Sequence, residues 1–225
     1  MNDKRYIECL AAQFRRNSDP ETALGQKAYM RNKFEFYGIK SSERRELLKS
    51  FLKKESLPPK EDLGEKVQRL WEMSEREYQY FAQELFFKYK KKLQAEDMIC
   101  LEYMITHRSW WDTDDFIAVK LVGEYFKWFP EGRGDYTRKW IASGNIWLQR
   151  TAILFQLKYK EKTDTALLAS TIYALLNSRE FFINKAIGWV LREYSKTDPK
   201  WVVDLVENTE LNRLSRMEAL RLVRK

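Results

Sequence analysis

Two tryptophans stand directly before three carboxylates in the segment SWWDTDD, residues 109–115. Trp111 and Asp115 are four residues apart, so on a helix both side chains project from the same face. A carboxylate attracts positive charge through Coulomb's law, and an indole attracts it through the electron-rich face of its ring. The pair is therefore suited to stabilising a cation. For Asp112 and Asp114 the pattern favours a structural role, capping the helix and interacting with its dipole.

Two further residues of suitable type follow at later positions. Arg150, in the segment WLQR, is suited to binding a phosphate, or to neutralising Asp115 when no ligand is bound. Trp189, in AIGWVLREY, has Gly188 beside it, which leaves space next to the indole. Taken singly, each residue also fits a structural role, but their recurrence at equivalent positions of a repeat favours a shared site.

The composition indicates a globular protein with a polyanionic partner. The chain has 225 residues, with 41 Lys and Arg against 33 Asp and Glu, giving a formal charge of +8. Such a surplus suggests nucleic acid before other partners. No apolar run approaches the roughly 18 residues of a membrane span, and the charged N-terminus lacks the apolar region of a secretory signal, so we expect no membrane and a cytoplasmic location.

Metal and cofactor chemistry is not expected from this sequence. His107 is the single histidine, so neither a histidine metal site nor a Ser/His/Asp triad has enough members. Cys9 and Cys100 lie far apart and outside any metal-ligand spacing, and we interpret both as buried small apolar residues.

Apolar periodicity predicts helices and no strands. The predicted spans are 3–16, 20–35, 41–54, 60–73, 75–92, 95–107, 111–128, 135–143, 145–161, 164–177, 179–196, 199–208 and 213–224. Ser74, Ser109, Gly144 and Ser178 follow one another at intervals of 34 or 35 residues, and each precedes a long aromatic-rich helix. A helix pair recurring at this period predicts an all-α fold, an α-solenoid superhelix of HEAT-like pairs with a concave basic groove, as a single domain over residues 1–225.

Four long motifs together resemble a known family. SWWDTDD, KWIASGNIWLQRTAILFQLKYK, REFFINKAIGWVLREY and AYMRNKFEFYGIKSSERRELLK closely resemble the AlkD-like DNA alkylation repair proteins, which are HEAT-like-repeat DNA glycosylases. The resemblance runs from about residue 5 to residue 225 with nearly constant spacing. It implies hydrolysis of the N-glycosidic bond of cationic N3- and N7-alkylated purines, such as 3-methyladenine and 7-methylguanine, in duplex DNA. We expect an enzyme without cofactor or metal that acts as a monomer, since a solenoid that wraps DNA needs no partner subunit.

The resemblance also implies roles for individual residues. Asp115 would support the developing oxocarbenium ion and the attacking water, while Trp111 and Trp189 would contact the deoxyribose and backbone at the lesion. Arg150 is the arginine of the WLQR motif, and Tyr29, in AYM, would lie near the same site. The family can act on the sugar without extruding the base, which agrees with the missing pocket motif.

Lysines and arginines further along the chain are expected to hold phosphates, among them Lys158, Lys185 and Arg192, although each also fits a solvated helix face. Gly144 departs from the family pattern, where a polar or acidic residue is frequent, and could alter DNA binding or substrate preference. The sequence leaves the preferred adduct open. The alternative from another class is a non-catalytic HEAT-like scaffold that binds DNA or a protein.

Overall fold

The computed structural model describes residues 3–223, and in this range it contains helices and no β-strand. The α-helices are α1 (Asp3–Arg16), α2 (Pro20–Tyr29), α3 (Ser41–Leu48), α4 (Leu63–Glu72), α5 (Arg76–Phe87), α6 (Asp97–Thr106), α7 (Trp111–Phe116), α8 (Gly123–Trp128), α9 (Arg133–Ala142), α10 (Ile146–Leu154), α11 (Thr165–Ala174), α12 (Phe181–Tyr194), α13 (Pro199–Glu207) and α14 (Arg213–Ala219). The prediction of an all-α protein is confirmed. The chain forms two compact units, Met1–Cys100 and Leu101–Lys225.

A π-helical segment, Ile117–Val122, connects α7 to α8 without a break. The three pieces make one helix over residues 111–128, which are the bounds predicted from the sequence. A π-helix bonds each residue to the fifth along instead of the fourth, and short π segments occur frequently at functional sites. This one begins two residues after Asp115.

Several helices end earlier than the periodicity predicts, for a backbone reason. The span predicted to run to residue 35 ends at Tyr29, because Arg31 and Asn32 adopt φ angles of 55° and 57° in the left-handed region. The span predicted over 145–161 likewise ends at Leu154. Residue 224, the last of the final predicted span, lies outside the described residues.

In the first unit, a buried carboxylate fixes the loop that follows α2. Glu77 of α5 is fully buried and accepts hydrogen bonds from the backbone N–H groups of Tyr37, Gly38 and Ile39 at 3.1–3.3 Å. Gly38 has φ +87°, and a Cβ there would lie 2.0 Å from the carbonyl oxygen of Asp19, so only glycine fits. The loop is thereby held against both α5 and the start of α2.

In the second unit, the long helices pack in chain order: α7 against α10, α10 against α12, and α12 against α14. Side chains one repeat apart meet at these contacts. The rings of Trp147 and Phe182 lie 5.0 Å apart, and Lys158 binds Glu193 at 2.6 Å. Each pair is 35 residues apart in the chain, which is the interval at which the sequence predicts its repeat.

Close helix contacts and a continuous apolar core hold the second unit together. A Cβ on Gly123 would lie 2.7 Å from the carbonyl oxygen of Phe155, so α8 approaches the end of α10 closely. Tyr159 donates a hydrogen bond of 2.5 Å to the carbonyl of Gly123. Full burial of one large aliphatic side chain contributes about 1.5–3 kcal/mol. The core residues that are at most 1% exposed include Ile153, Leu154, Leu168, Ile172, Ile183, Ile187 and Leu191.

The described residues also bear on the membrane and cysteine expectations. No helix among residues 3–223 is long and apolar enough to cross a bilayer. Cys9 is exposed, so its predicted burial is wrong, because it lies on the outer face of α1. Cys100 is half-buried, and this burial raises the pKa of its thiol to about 12.

Candidate active site

The candidate site lies near the N-terminal ends of α7, α10 and α12. Asn145 caps α10: its Oδ1 accepts hydrogen bonds from the backbone N–H groups of Trp147 and Leu148 at 2.9 and 3.2 Å. Such a cap satisfies donors that the first helical turn leaves unpaired and fixes where the helix starts. Arg150 consequently falls in the second turn of α10, beside Asp115 of α7.

Arg150 and Asp115 form an ion pair. Arg150 Nε donates a hydrogen bond of 2.8 Å to Asp115 Oδ1, and Nη2 lies 2.7 Å from the same oxygen. The arginine side chain is only 4% exposed, whereas that of the aspartate is 23% exposed. A ligand that approaches from solvent therefore meets the carboxylate before it meets the guanidinium.

The remaining contacts of Arg150 hold its guanidinium in place from other sides. Nη1 donates a hydrogen bond of 2.6 Å to the carbonyl oxygen of Phe182, at the start of α12. The guanidinium carbon lies 5.9 Å from the centre of the Phe182 ring. Because a buried arginine is tolerated only when its donors are paired, these contacts explain how Arg150 remains inside.

Asp114, next to Asp115, is buried and does not cap α7. Its side chain is 1% exposed, and Oδ1 accepts a hydrogen bond of 3.1 Å from the hydroxyl of Thr151. Its Oδ2 lies 3.6 Å from Arg150 Nε. The capping role expected for Asp114 is therefore wrong, since its carboxylate points toward α10. Among the described residues, no group of three or more His, Cys, Asp or Glu side chains could hold a metal ion.

Burial dominates the ionisation of both acids. It raises the pKa of Asp115, and the charge and hydrogen bonds of Arg150 oppose the rise. Burial raises the pKa of Asp114 well above its usual range, and repulsion from Asp115 adds to this while Arg150 opposes it. The less exposed acid thus carries the larger cost of ionisation, so Asp115 is the one that more readily bears the negative charge.

Aromatic side chains lie on the same three helices, α7, α10 and α12, and at their N-terminal ends. Trp111, at the first position of α7, and Trp189, on α12, are both partly buried, so neither is sealed inside the protein. Trp110, Trp147 and Phe182 form a separate cluster with ring centres 5.0–5.6 Å apart. The cluster joins the N-terminal ends of three helices and gives the acid and the arginine a rigid base.

The basic residues expected to hold phosphates are engaged in ion pairs. Lys185 lies 2.7 Å from Glu218 Oε2, and Arg192 also pairs with Glu218, whose side chain is only 8% exposed. Lys158 instead pairs with Glu193, at an exposed position. The structure therefore brings Lys185 and Arg192 together around one carboxylate and places Lys158 in a separate pair.

Tyr29 belongs to the first unit, where it is the last residue of α2 and 69% exposed. Asp19 caps this helix by accepting hydrogen bonds from the backbone of Glu21 and Thr22. Helix α2 buries none of its residues.

Gly144, the departure from the family pattern, has a conformational role. Its φ is +69°, and no atom lies within 4 Å of where a Cβ would stand. The residue ends α9 and leads into the Asn145 cap. Glycine adopts this left-handed conformation without the steric cost of a side chain.

Sequence reasoning missed Asp114, Thr151 and Glu218 as parts of these clusters. A signal for Asp114 was present: with Ile117, Ala118 and Leu121 it occupies the stripe of α7 and its π-helical continuation that faces the core. A carboxylate in an apolar stripe requires a buried partner. No comparable sequence signal identifies Thr151 or Glu218.

The fold and the site together define an all-helical protein in which stacked helices hold a partly exposed acid against a buried arginine. The sequence profile of one family, described as DNA alkylation repair enzyme, matches residues 10–223. A solved structure described as a predicted DNA alkylation repair enzyme from Enterococcus faecalis is 35% identical, covers 92% of this chain and 97% of its own, and superposes with a TM-score of 0.86. Among curated proteins there is no match. The chain belongs to the DNA alkylation repair enzyme family, which supports an enzymatic role in the repair of alkylation damage.

Proposed function

We propose that this protein is a monofunctional, metal-independent DNA glycosylase that hydrolyses the N-glycosidic bond of cationic N3- and N7-alkylated purines in duplex DNA. The observation that carries the proposal is the partly exposed Asp115 carboxylate, fixed by a buried arginine and flanked on its helix by the half-buried Trp111. The whole of residues 1–225 would act as one HEAT-like-repeat glycosylase domain, as a monomer in the cytoplasm.

The chemistry of the substrate explains why one carboxylate suffices. A purine alkylated at N3 or N7 already carries a positive charge and leaves as a neutral base, so no acid is needed to protonate it. As the bond breaks, positive charge moves onto the deoxyribose. A fixed negative charge beside the sugar stabilises this transition state more than the ground state, and such preorganised electrostatics lower the barrier. Asp115 would supply that charge and orient the attacking water.

The aromatic residues would contribute in a second way. The faces of Trp111 and Trp189 attract positive charge, so both would lie against the sugar and backbone at the lesion. The chemistry takes place on the sugar, and we propose that the base stays in the helix stack. Excision without base extrusion needs no deep base-recognition pocket.

DNA would bind along a concave basic groove. Lys158, Lys185 and Arg192 would hold phosphates, and Tyr29 would contact the DNA near the lesion. Arg150 would hold Asp115 in place and contribute its charge to a nearby phosphate. Because each phosphate contact releases counterions, binding would weaken steeply with salt.

Incubating the purified protein with duplex DNA that contains 7-methylguanine tests the proposal. Excision leaves an abasic site, and hot alkali converts this site into a strand break. The expected result is enzyme-dependent strand cleavage at the modified base and release of free 7-methylguanine. The alternative function, a non-catalytic HEAT-like scaffold, predicts DNA binding with an intact duplex, and this result would overturn the proposal.

A further inference from the structure

Two neighbouring residues of α7 bind two neighbouring residues of α10. Asp115 pairs with Arg150, and Asp114 accepts a hydrogen bond from Thr151. Thr151 is fully buried, and Asp114 is 1% exposed, so this second contact is sealed from solvent. The two contacts together fix the register of α7 against α10 at the position of the candidate catalytic acid.

The guanidinium of Arg150 is held at three points. Its Nε and Nη2 contact Asp115 Oδ1 at 2.8 and 2.7 Å, and Nη1 donates to the carbonyl of Phe182. Because a guanidinium is planar and rigid, fixing Nε and Nη1 fixes the plane of the whole group. The Asp114 carboxylate, which the Thr151 hydroxyl binds through Oδ1, places its Oδ2 3.6 Å from Nε of this group, beyond hydrogen-bond distance.

We propose that Asp114, together with Thr151, is a positioning residue of the excision reaction: it orients Arg150 and, through Arg150, places the Asp115 carboxylate. The inference rests on the proposed function. Asp114 itself, at 1% exposed, does not reach the substrate.

Charge balance in the cluster agrees with this role. The charged groups around Asp114 are Arg150 from α10 and Asp115 and Asp112 from its own helix. One guanidinium neutralises one carboxylate. Burial raises the pKa of Asp114 well above its usual range, which favours placing the negative charge of the pair on Asp115.

Four substitutions test the inference under single-turnover conditions with duplex DNA containing 7-methylguanine. Thr151→Val keeps the shape and removes the hydroxyl, and Thr151→Ser restores it. Asp114→Ala removes the acceptor, and Asp114→Asn restores it without charge. We expect the excision rate to fall about 10-fold or more in the Val and Ala variants, as when one group of a preorganised site is lost. The Ser and Asn variants should stay within about 3-fold of the wild type, and the DNA dissociation constant should change by less than about 3-fold in all four.

The pH profile separates positioning from a merely structural role. In Thr151→Val, a less firmly held Arg150 stabilises the Asp115 carboxylate less, which raises the pKa of Asp115. The decline of the excision rate on acidification, the acid limb, therefore moves to higher pH. A structural role would lower the active fraction and leave the limb where it is. An unchanged limb, or an Asn variant as impaired as the Ala variant, would overturn the inference.

A readout that does not depend on excision distinguishes failure of the inference from failure of the proposed function. The carboxyl carbon of Asp115 is followed by NMR through a pH titration in the wild type and in Thr151→Val. A higher pKa of Asp115 in the variant supports the positioning role, and an unchanged pKa contradicts it, whether or not the wild type excises the base. Thermal unfolding of each variant verifies that it is folded.

Discussion

Arg150 directs Nε and Nη2 to the same oxygen of Asp115, Oδ1, at 2.8 and 2.7 Å. The other carboxylate oxygen, Oδ2, takes no part in these two contacts. The acid is therefore anchored through one oxygen before any ligand binds. An electrostatic group that is already in position has no reorganisation cost when charge develops nearby.

Replacing the charge of Asp115 should separate catalysis from binding. In Asp115→Asn we expect the single-turnover rate of 7-methylguanine excision to fall about 100-fold or more, because a group that stabilises transition-state charge acts on the rate. The dissociation constant for duplex DNA should change by less than about 3-fold. Asp135→Asn, at an exposed carboxylate of α9, is the matched control and should retain full activity. Equal losses of affinity and excision would identify Asp115 as a structural residue.

The activity should be lost on acidification at a higher pH than for an ordinary aspartate. Burial raises the pKa of Asp115, and the ionised form is the active one under the proposal. The excision rate should therefore decline as the pH falls through this raised pKa, above the value of about 4 that an exposed aspartate shows. Single-turnover rates across pH, corrected for base loss without enzyme, measure this limb. A limb at or below about 4 would contradict the prediction.

Removing Arg150 should destabilise the fold. In Arg150→Gln, Asp114 and Asp115 lose the cation that they share, and breaking a buried ion pair from one side costs about 3–5 kcal/mol. Urea denaturation measures the free energy of unfolding. Lys158→Gln breaks an exposed pair with Glu193, and this control should change the free energy of unfolding by less than about 1 kcal/mol. Similar losses in both variants would show that the buried cluster adds no stability of its own.

The salt dependence of DNA binding should report the proposed phosphate contacts. Replacing Lys185 or Arg192 by Gln should reduce the slope of log K against log salt concentration by about 1, because one phosphate contact is lost. Fluorescence anisotropy with duplex DNA at several salt concentrations measures the slope. Arg138→Gln, at a surface residue outside the proposed contacts, should leave the slope unchanged. A slope unchanged in all three variants would remove Lys185 and Arg192 from the DNA interface.

A methyl group on Gly188 should disturb the packing of α12 against α14. A Cβ at this position would lie 2.6 Å from the Cβ of Glu218 and 3.0 Å from the carbonyl oxygen of Ser215. Overpacking of this kind costs about 1–3 kcal/mol, so Gly188→Ala should lower the midpoint of urea unfolding. Gly64→Ala, on the exposed side of α4 with no atom within 4 Å, should raise it by the helix propensity of alanine. An unchanged midpoint of urea unfolding in Gly188→Ala would show that α14 can move aside without loss of stability.

The sequence predicts the helical class and the repeat, and offers the pairing with Asp115 as one of two roles for Arg150, for one common reason. Residues at equivalent positions of successive repeats meet in space, and these two are 35 residues apart. The positions of helices follow from apolar periodicity, which local sequence carries. Their ends follow less well, because left-handed residues such as Arg31 and Asn32 stop a helix without a glycine or proline to mark the place.

The apolar stripe around Asp114 indicates that this acid needs a buried partner, but local sequence does not identify which residue the partner is. A carboxylate in the first turn of a helix has the pattern of a capping residue, and its actual partner, Thr151, lies 37 residues away. Glu218 likewise binds Lys185 and Arg192, which are distant from it in the sequence. Such polar contacts depend on how two helices are rotated against each other, which a pattern of hydrophobicity does not specify.

The π-helical turns at Ile117–Val122 change the direction in which side chains project from the helix before and after them. Before them, the helix presents Asp115 toward solvent, and beyond them it turns Tyr125 and Phe126 into the core. Each residue advances an α-helix by about 100°, so shortening this segment by one residue would swing the acid away from its arginine. The direction of the Asp115 carboxylate therefore depends on the winding of the segment that follows it.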